Sequence, residues 1–490
     1  MRINSHFFIL IAFTLAGISC KKLVSIPEPV SSQTTTGVFA TEQQANSALA
    51  GIYTLLINGN NPASNSIYSS FSDGYTTLLG GLSSDELMYN QVTGDYLFYN
   101  SNRLLATSSP STTIWTTAYT AIYGANAVIE GVAASTSAAL HDSARKELTG
   151  EAKFVRAFSY FYLVNLFGDV PLALTIDFNQ TANMTRTPQA SVYQQIISDL
   201  KDAQSVLPTD YSVAAGERIR PNKWAATALL ARALLFTGDY AGAAAQAASV
   251  IGYTTQYNLV GDPDGVFLKN STEAIWQLQQ STSVANIGNA TAEGAELLPN
   301  PLSTGFVSYY LSSQLMAAFE TGDQRRVKWV GSSDNSFSGT PSGPYYFAYK
   351  YKTGRANYSI GGAATEYYMV LRLAEQYLIK AEAETNGATG GDAAAIADLN
   401  VLRHRAGLPD LFSSLPHDQV IAAVAHERQT ELFAEWGHRW LDLKRTGQAH
   451  NVLSVIPIKQ PWQGDYQLLY PIPVTEITTD HNLVQNPGYH

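Results

Sequence analysis

Histidines, carboxylates and glycine-rich turns are where chemistry would show first, and this sequence offers several such patterns. His426-Glu427 opens as a zinc-protease helix does, where a second histidine three residues after the glutamate completes the ligand pair. That position is Thr430, and His438 lies too far along to replace it. His426 is therefore expected at the surface or at a cap, with no metal bound. Asp85-Glu86 and Glu382 with Glu384 are paired in sequence. A glycosidase instead needs two carboxylates facing each other across a bond, at about 5 to 10 Å. Asp262-Pro263-Asp264-Gly265 begins like a calcium loop but lacks the later acidic ligands, so it reads as a turn. Neither a phosphate-cradling P-loop nor a Gly-x-Ser-x-Gly nucleophile elbow is found. No catalytic residue and no cofactor is assigned, and the chain is not expected to be an enzyme.

One charged run differs in kind. From Arg428 to Arg445, Glu431 and Glu435 lie one helical turn apart, where Arg428, Arg439 or Arg445 could pair with them beneath Trp440 and Leu443. This reads as an ion-pair network that holds the last helices together. It is architecture.

Composition narrows the partners. Of 490 residues, 45% are apolar and 14% charged, against a usual charged share of about 25%. Thirty basic against forty acidic residues leave a net charge of −10, which repels phosphate backbones and argues against nucleic-acid binding. Polarity comes instead from Ser, Thr, Asn, Gln and Tyr, with 28 tyrosines and 7 tryptophans as potential stacking surface. The single cysteine excludes disulfides within the chain and thiolate metal clusters.

That cysteine has a telling position. Arg2 precedes an apolar run from Phe7 to Ile18, and small residues lead to Ser19-Cys20. This is the layout of a secretory signal, with an apolar run too short to span a bilayer. Residues 1–19 read as a lipoprotein signal peptide and Cys20 as the lipidation site, although Gly17 stands where a lipobox usually has Leu. Residues 20–40, with Pro27 and Pro29, read as an anchored tether, and residues 41–490 as a single domain.

The elements within that domain are mainly helical. Apolar residues at helical spacing start near Glu42, recur over Thr113–Val132, and form the Leu148, Ala152, Val155, Tyr162, Leu166 stripe that Gly168 ends. Ser191–Val206 adds another helix. Trp224–Phe236 and the alanine-rich stretch to Ile251 form a hairpin across Thr237–Tyr240. Glu366–Glu384 and Ala393–Ala406 repeat the theme across a glycine-rich break. Short helices paired across Gly-containing turns are the tetratricopeptide design. Two long blocks lack helical period, Asn58–Pro110 and Tyr253–Ala364, and are expected to be irregular surface or short strands. The first belongs to an N-terminal half of about 41–252, the second to a C-terminal half of about 253–490.

Several stretches, in order, resemble the SusD/RagB outer-membrane lipoproteins. They are the start ending in Cys20-Lys21-Lys22, Glu151–Ala157 leading to Leu166–Leu172, and the hairpin from Lys223 to Ile251. Arg372–Ala383, Leu402–Leu408, Glu431–Gly447, Tyr470–Pro473 and Gln485–Tyr489 follow. The resemblance implies a tetratricopeptide-like scaffold decorated by long irregular loop insertions and a few short strands. It also implies an outer-membrane lipoprotein facing the cell exterior. Such a protein binds a glycan ligand and delivers it to a SusC-like TonB-dependent barrel transporter. An alternative within the same resemblance is a gating or scaffold subunit handling non-sugar cargo such as peptides.

Sugar rings have apolar faces that stack on aromatic side chains, while their hydroxyls need polar partners. Recognition residues favour loops held by a rigid scaffold, which points to the two irregular blocks. Asp85, Tyr89, Asn90, Tyr96, Tyr99 and Asn100 are the ligand-binding residues proposed in the first. Trp329, Tyr345, Tyr346 and Tyr349 are those in the second. Trp115, Trp224, Trp276, Trp436 and Trp440 fall in periodic or motif segments and are expected in the core.

Overall fold

A computed structural model describes residues 35–60, 67–300, 306–334 and 343–489. Cys20 and the tether up to residue 34 lie outside them.

The fold is mainly helical. Helix α1 (Glu42–Asn58) starts at Thr41, whose side chain accepts the Gln44 amide, and buries Ala45, Leu49, Ile52 and Leu56 on one face. Next come α2 (Ser109–Ala134) and α3 (Asp142–Phe167), followed by α4 (Gln189–Val206), α5 (Lys223–Phe236) and α6 (Tyr240–Ile251). The C-terminal half adds α7 (Leu373–Thr385), α8 (Gly391–Arg405), α9 (His417–Glu431) and α10 (His438–Arg445). From α2 to α8 each helix packs on the next, so the hairpins stack in chain order although a long insertion separates α6 from α7. The α3 helix ends at Gly168, whose φ of 81° is a left-handed conformation that glycine adopts without steric cost. In α5 the stretch Ala225–Leu235 is buried all round, because neighbours cover every face. Its Arg232 is buried too and forks onto Glu375 of α7 at 2.6 Å.

Three two-stranded antiparallel sheets complete the domain: β1 (Leu87–Tyr89) with β3 (Tyr309–Leu311), β2 (Ala274–Leu278) with β6 (Tyr368–Arg372), and β4 (Val330–Ser333) with β5 (Tyr345–Ala348). Strand β6 corrects the helix read over Glu366–Glu384. Its run Tyr-Met-Val-Leu-Arg is buried on both faces and pairs with the equally buried β2, and the helix begins only at Leu373. A continuous apolar run has no period with which to separate the two structures.

The first irregular block also holds an unexpected element. Thr76–Ser83 is a helix with all eight residues buried. Its Gly80 faces Gly437 so closely that a β-carbon would lie 2.6 Å from the Gly437 Cα. Gly437 itself has a φ of 67° and opens α10. Trp436, just before it, donates its backbone N–H to the Thr77 hydroxyl at 2.8 Å.

The expected ion network exists with different partners. Glu431, buried, meets Arg372 at 2.6 Å, Arg325 at 3.3 Å, and Arg405. Arg372 also holds Glu273 at 2.9 Å and Glu435 at 2.8 Å, while Glu427 bridges Arg325 and Arg403 at 2.8 and 2.9 Å. Arg428 and Arg445 instead bind Asp442, and Arg439 reaches Asp85. The arginines closest to Glu431 in space come from β6, α8 and the short helix Gln324–Lys328, which sequence neighbourhood could not reveal.

Three guanidinium groups hold the Glu431 carboxyl well below its ordinary range despite burial. Truncating it would leave those cations buried and uncompensated. Glu431→Ala should therefore cost about 3 to 5 kcal/mol in urea unfolding. Lys153→Ala, which breaks the more exposed Lys153–Asp202 pair, should cost at most about 1 kcal/mol. Equal losses would show that the buried cluster is dispensable.

Candidate functional site

The pairing of β1 with β3 brings the two irregular blocks together. Tyr89 lies directly opposite Tyr309, and their rings stack with centroids 5.4 Å apart at 21°. Tyr96, from the short helix Asp95–Asn100, meets both edge-on, 5.7 Å from Tyr89 and 5.6 Å from Tyr309. Tyr89 and Tyr96 are each half-buried, so part of each ring faces water.

Polar groups frame this aromatic corner. The Tyr89 hydroxyl donates to Gln91 Oε1 at 3.0 Å. Glu296, on the short helix Ala292–Leu297, is near enough to act electrostatically on Tyr89, Tyr96 and Tyr309, and Arg355 Nη2 holds it at 2.7 Å. Burial pushes the Glu296 carboxyl up, and it pushes the Tyr96 hydroxyl up to about 12. The phenol therefore stays a protonated donor at neutral pH. Partly exposed ring faces with a carboxyl group and its guanidinium partner in the neighbourhood offer the stacking area and the hydrogen-bonding groups that a sugar ring uses.

Six of the residues proposed from sequence prove to be framework. Asn100 is buried and fixes β1, donating to Leu87 O at 3.2 Å and accepting the Tyr89 amide at 3.2 Å. Asn90 donates to Val307 O at 3.1 Å, tying β1 to the approach to β3. Tyr99 is sealed in, with its hydroxyl shared by Ser108 and Ser111 and its ring against Tyr470. Asp85 is clamped by Arg439 at 2.7 and 2.8 Å. Trp329 is 0% exposed and donates to Pro263 O at 2.9 Å. Its ring lies over the ion network, 4.7 Å from Lys350 Nζ. Tyr345 is buried edge-on against Tyr310 at 5.0 Å. Aromatic richness marked these places, but packing claimed the rings.

Tyr346 and Tyr349 stay partly exposed, yet neither joins Tyr89 and Tyr96. Successive strand residues point to opposite faces, so Tyr309 and Tyr310 look away from each other, and so do Tyr345 and Tyr346. The Tyr310–Tyr345 contact therefore sits across the β1–β3 ribbon from Tyr89. Tyr346 turns to Arg326, whose guanidinium is 4.6 Å from the ring, and Tyr349 to Lys352 at 3.9 Å. The members of this candidate corner that sequence reasoning did not single out are Tyr309, Glu296, Arg355 and Gln91. Only Tyr309 carried a signal, as part of an aromatic run with strand character.

The other groups first considered for chemistry are engaged structurally. Asp262 caps the turn at Pro263–Gly265 by accepting the Asp264 amide at 3.1 Å. Glu382 binds Arg445 and Glu384 binds Lys380. Glu320, His426 and Glu427 can bring ligand atoms within 4.8 Å of one another. Arg403 bonds both carboxylates, however, and Arg325 adds to Glu427, so guanidinium groups stand where a cation would. Among the described residues, no helix is long and apolar enough to cross a membrane.

The fold is a helical scaffold carrying long insertions, and the chain belongs to the SusD/RagB family. A family profile described as starch-binding and associating with the outer membrane matches residues 28–235, and the SusD family profile matches residues 316–489. The chain is 29% identical to a SusD-like protein P2 of Formosa agariphila over 76% of this chain and 80% of that one. A shorter match, 33% identical over 24% of this chain and 21% of the other, is to the starch-binding protein SusD of Bacteroides thetaiotaomicron. Among solved structures, a SusD superfamily protein of Bacteroides vulgatus superposes with a TM-score of 0.77 at 22% identity, covering 92% of this chain and all of the other. A laminarin-binding SusD-like protein superposes at 0.74 with 24% identity, over 92% of this chain and 100% of that one. The family is one of carbohydrate-binding proteins associated with the outer membrane.

Beside Asp85, Glu86 is buried and its carboxyl is pushed up to about 8, first by burial and then by the Asp85 charge. A raised carboxyl stabilises the fold fully below its unfolded value, about 4.3, and loses that contribution as pH rises through about 8. Glu86→Gln, which cannot ionise, should lose less stability than the wild type between pH 5 and pH 9 in denaturant titrations. Identical pH slopes would mean that Glu86 ionises normally.

Proposed function

We propose that this chain is a cell-surface lipoprotein that binds an oligosaccharide or polysaccharide nutrient and delivers it to a partner SusC-like TonB-dependent barrel transporter. The observation that carries the binding half is the Tyr89–Tyr96–Tyr309 corner with Glu296 and Arg355 beside it. The faces of Tyr89 and Tyr96 supply stacking area, and the flanking pair reads hydroxyls. A fold neighbour that binds laminarin and a relative that binds starch support a glycan as the ligand class. Anchoring through Cys20, exposure on the outer face and handover to the barrel follow from family membership and complete the reading.

The test is calorimetry or affinity electrophoresis against plant, fungal and storage polysaccharides. Tyr96→Ala and Tyr89→Ala should each weaken binding about tenfold, a loss of roughly 1.4 kcal/mol of ring contact, with little change in melting temperature. Trp329→Ala should do the reverse, melting earlier by the loss of a core ring. Binding unaffected by either tyrosine would remove the site. Silence across the panel, with the barrel still captured in a pull-down, would favour gating or peptide cargo. Cys20→Ser should release the chain from the membrane.

A further inference from the structure

The turn after the short helix Asp95–Asn100 is held by a distant part of the chain. Lys459 is buried at the end of the short turn Pro457–Lys459. Its Nζ donates to Leu82 O at 3.0 Å, Ser83 O at 3.1 Å and Asn100 O at 2.9 Å, and to Asn102 Oδ1. Leu82 and Ser83 end the helix Thr76–Ser83, and Asn100 ends the helix Asp95–Asn100. Carbonyls at a helix C-terminus lack partners within the helix and carry the negative end of its dipole. One cation thus caps two helices.

Neighbours of Lys459 complete a clamp. Gln467, also buried, donates Nε2 to Asn102 O at 2.6 Å, and Arg103 donates to Gln460 O. Asn102 takes a left-handed φ of 54° and donates its own side-chain amide to Ser83 O at 3.1 Å. The turn is therefore gripped from the C-terminal segment through both its backbone and its side chains.

What the clamp holds carries the tyrosine corner. Tyr96 lies one turn before Asn100 on the same short helix. The Asn100 side chain accepts the Tyr89 amide and donates to Leu87 O, each at 3.2 Å. Lys459 is therefore one hydrogen bond from the helix of Tyr96 and two from the backbone of Tyr89. A gap of about 0.5–1 Å forfeits a quarter to a half of a dispersion contact, so a small shift of this helix weakens stacking on its ring.

We propose, on the reading of the tyrosine corner as the glycan site, that Lys459 is a positioning residue for binding. With Arg103 and Gln467 it sets where Tyr89 and Tyr96 present their rings, and it touches no ligand itself.

Burial pulls the Lys459 ammonium down to about 7, and the Asp85 charge opposes this, so pH 6 keeps the cation for the test. Lys459→Met keeps an unbranched side chain and removes the donors. Arg103→Ala and Gln467→Ala each remove one bond of the clamp and decide the matter if Lys459→Met does not fold. Calorimetry uses laminarihexaose and maltoheptaose, at a temperature where circular dichroism shows every variant folded. Lys459→Met should weaken binding by up to about tenfold, the loss expected for deleting a ring, and the milder variants less. Added to Tyr89→Ala/Tyr96→Ala, Lys459→Met should cost nothing further, because the rings it places are gone. Hydrogen exchange of the unliganded chain should quicken over residues 87–101 in Lys459→Met and stay unchanged in α3 and α5.

Unchanged affinity in a folded Lys459→Met that Tyr96→Ala does weaken overturns the role of Lys459 and leaves the glycan site standing. A further loss on the Tyr89→Ala/Tyr96→Ala background overturns it too, since Lys459 would then act elsewhere. If the wild type binds neither sugar, the glycan reading fails. Exchange then decides alone: quickening over 87–101 upholds the placement of the rings by Lys459, and an unchanged rate overturns it.

Discussion

Everything in the C-terminal half is arranged around charges that water cannot reach. Glu273, Arg325, Lys350, Arg372, Arg403, Arg405, Glu427, Glu431 and Glu435 come from segments spread over more than 160 residues of sequence. They interleave so that each cation touches at least one anion. Removing an ion from water costs several kcal/mol, and only close, complete pairing offsets it. The arrangement therefore tolerates no partial assembly. Strand β6, helices α8 and α9 and the short helix Gln324–Lys328 have to arrive together. Trp329 seals the result from above.

The same constraint explains what was legible in the sequence. Helices with a dry and a wet face, such as α1, and hairpins punctuated by glycine announce themselves through spacing, because local geometry alone decides which residues are buried. Glu431 showed its importance through its neighbours in the sequence but not its partners. Those are fixed by where β6 and α8 lie, which no local period encodes. The short strand β6 and the fully buried helix Thr76–Ser83 were hidden for a related reason. A segment covered on every side has no polar stripe from which to read a period.

At the candidate site, composition located the region, and only pairing selected the residues. Tyr89 and Tyr96 were visible as aromatics in an irregular block, and so were Tyr99 and Tyr345, which the fold buries. Strand position decides for Tyr89 and Tyr345, and the turn of the short helix Asp95–Asn100 decides for Tyr96 and Tyr99, while the buried amide of Asn100 pins β1 in place. Tyr309 and Glu296 lie more than 190 residues from Tyr96 in the chain, so their role emerges only when β3 closes against β1. A pleat two strands wide thus works as a partition, with one aromatic cluster on each side.

The meeting of Gly80 with Gly437 has a consequence for how the chain is made. The helix around Gly80 is buried by residues synthesised some 350 positions later, through Trp436, Arg439 and the Lys459 ammonium that collects the carbonyls of Leu82 and Ser83. Until that late stretch emerges, the early helix has only its near neighbours, β1 and the short helix Asp95–Asn100, to lie against, and one side of it stays open. Contacts so distant in sequence are slow to form, because a long loop must close before any of them is gained. This part of the N-terminal half is thus completed only by the C-terminal helices. A nascent chain cut short before its last helices would present that part of the interior to solvent.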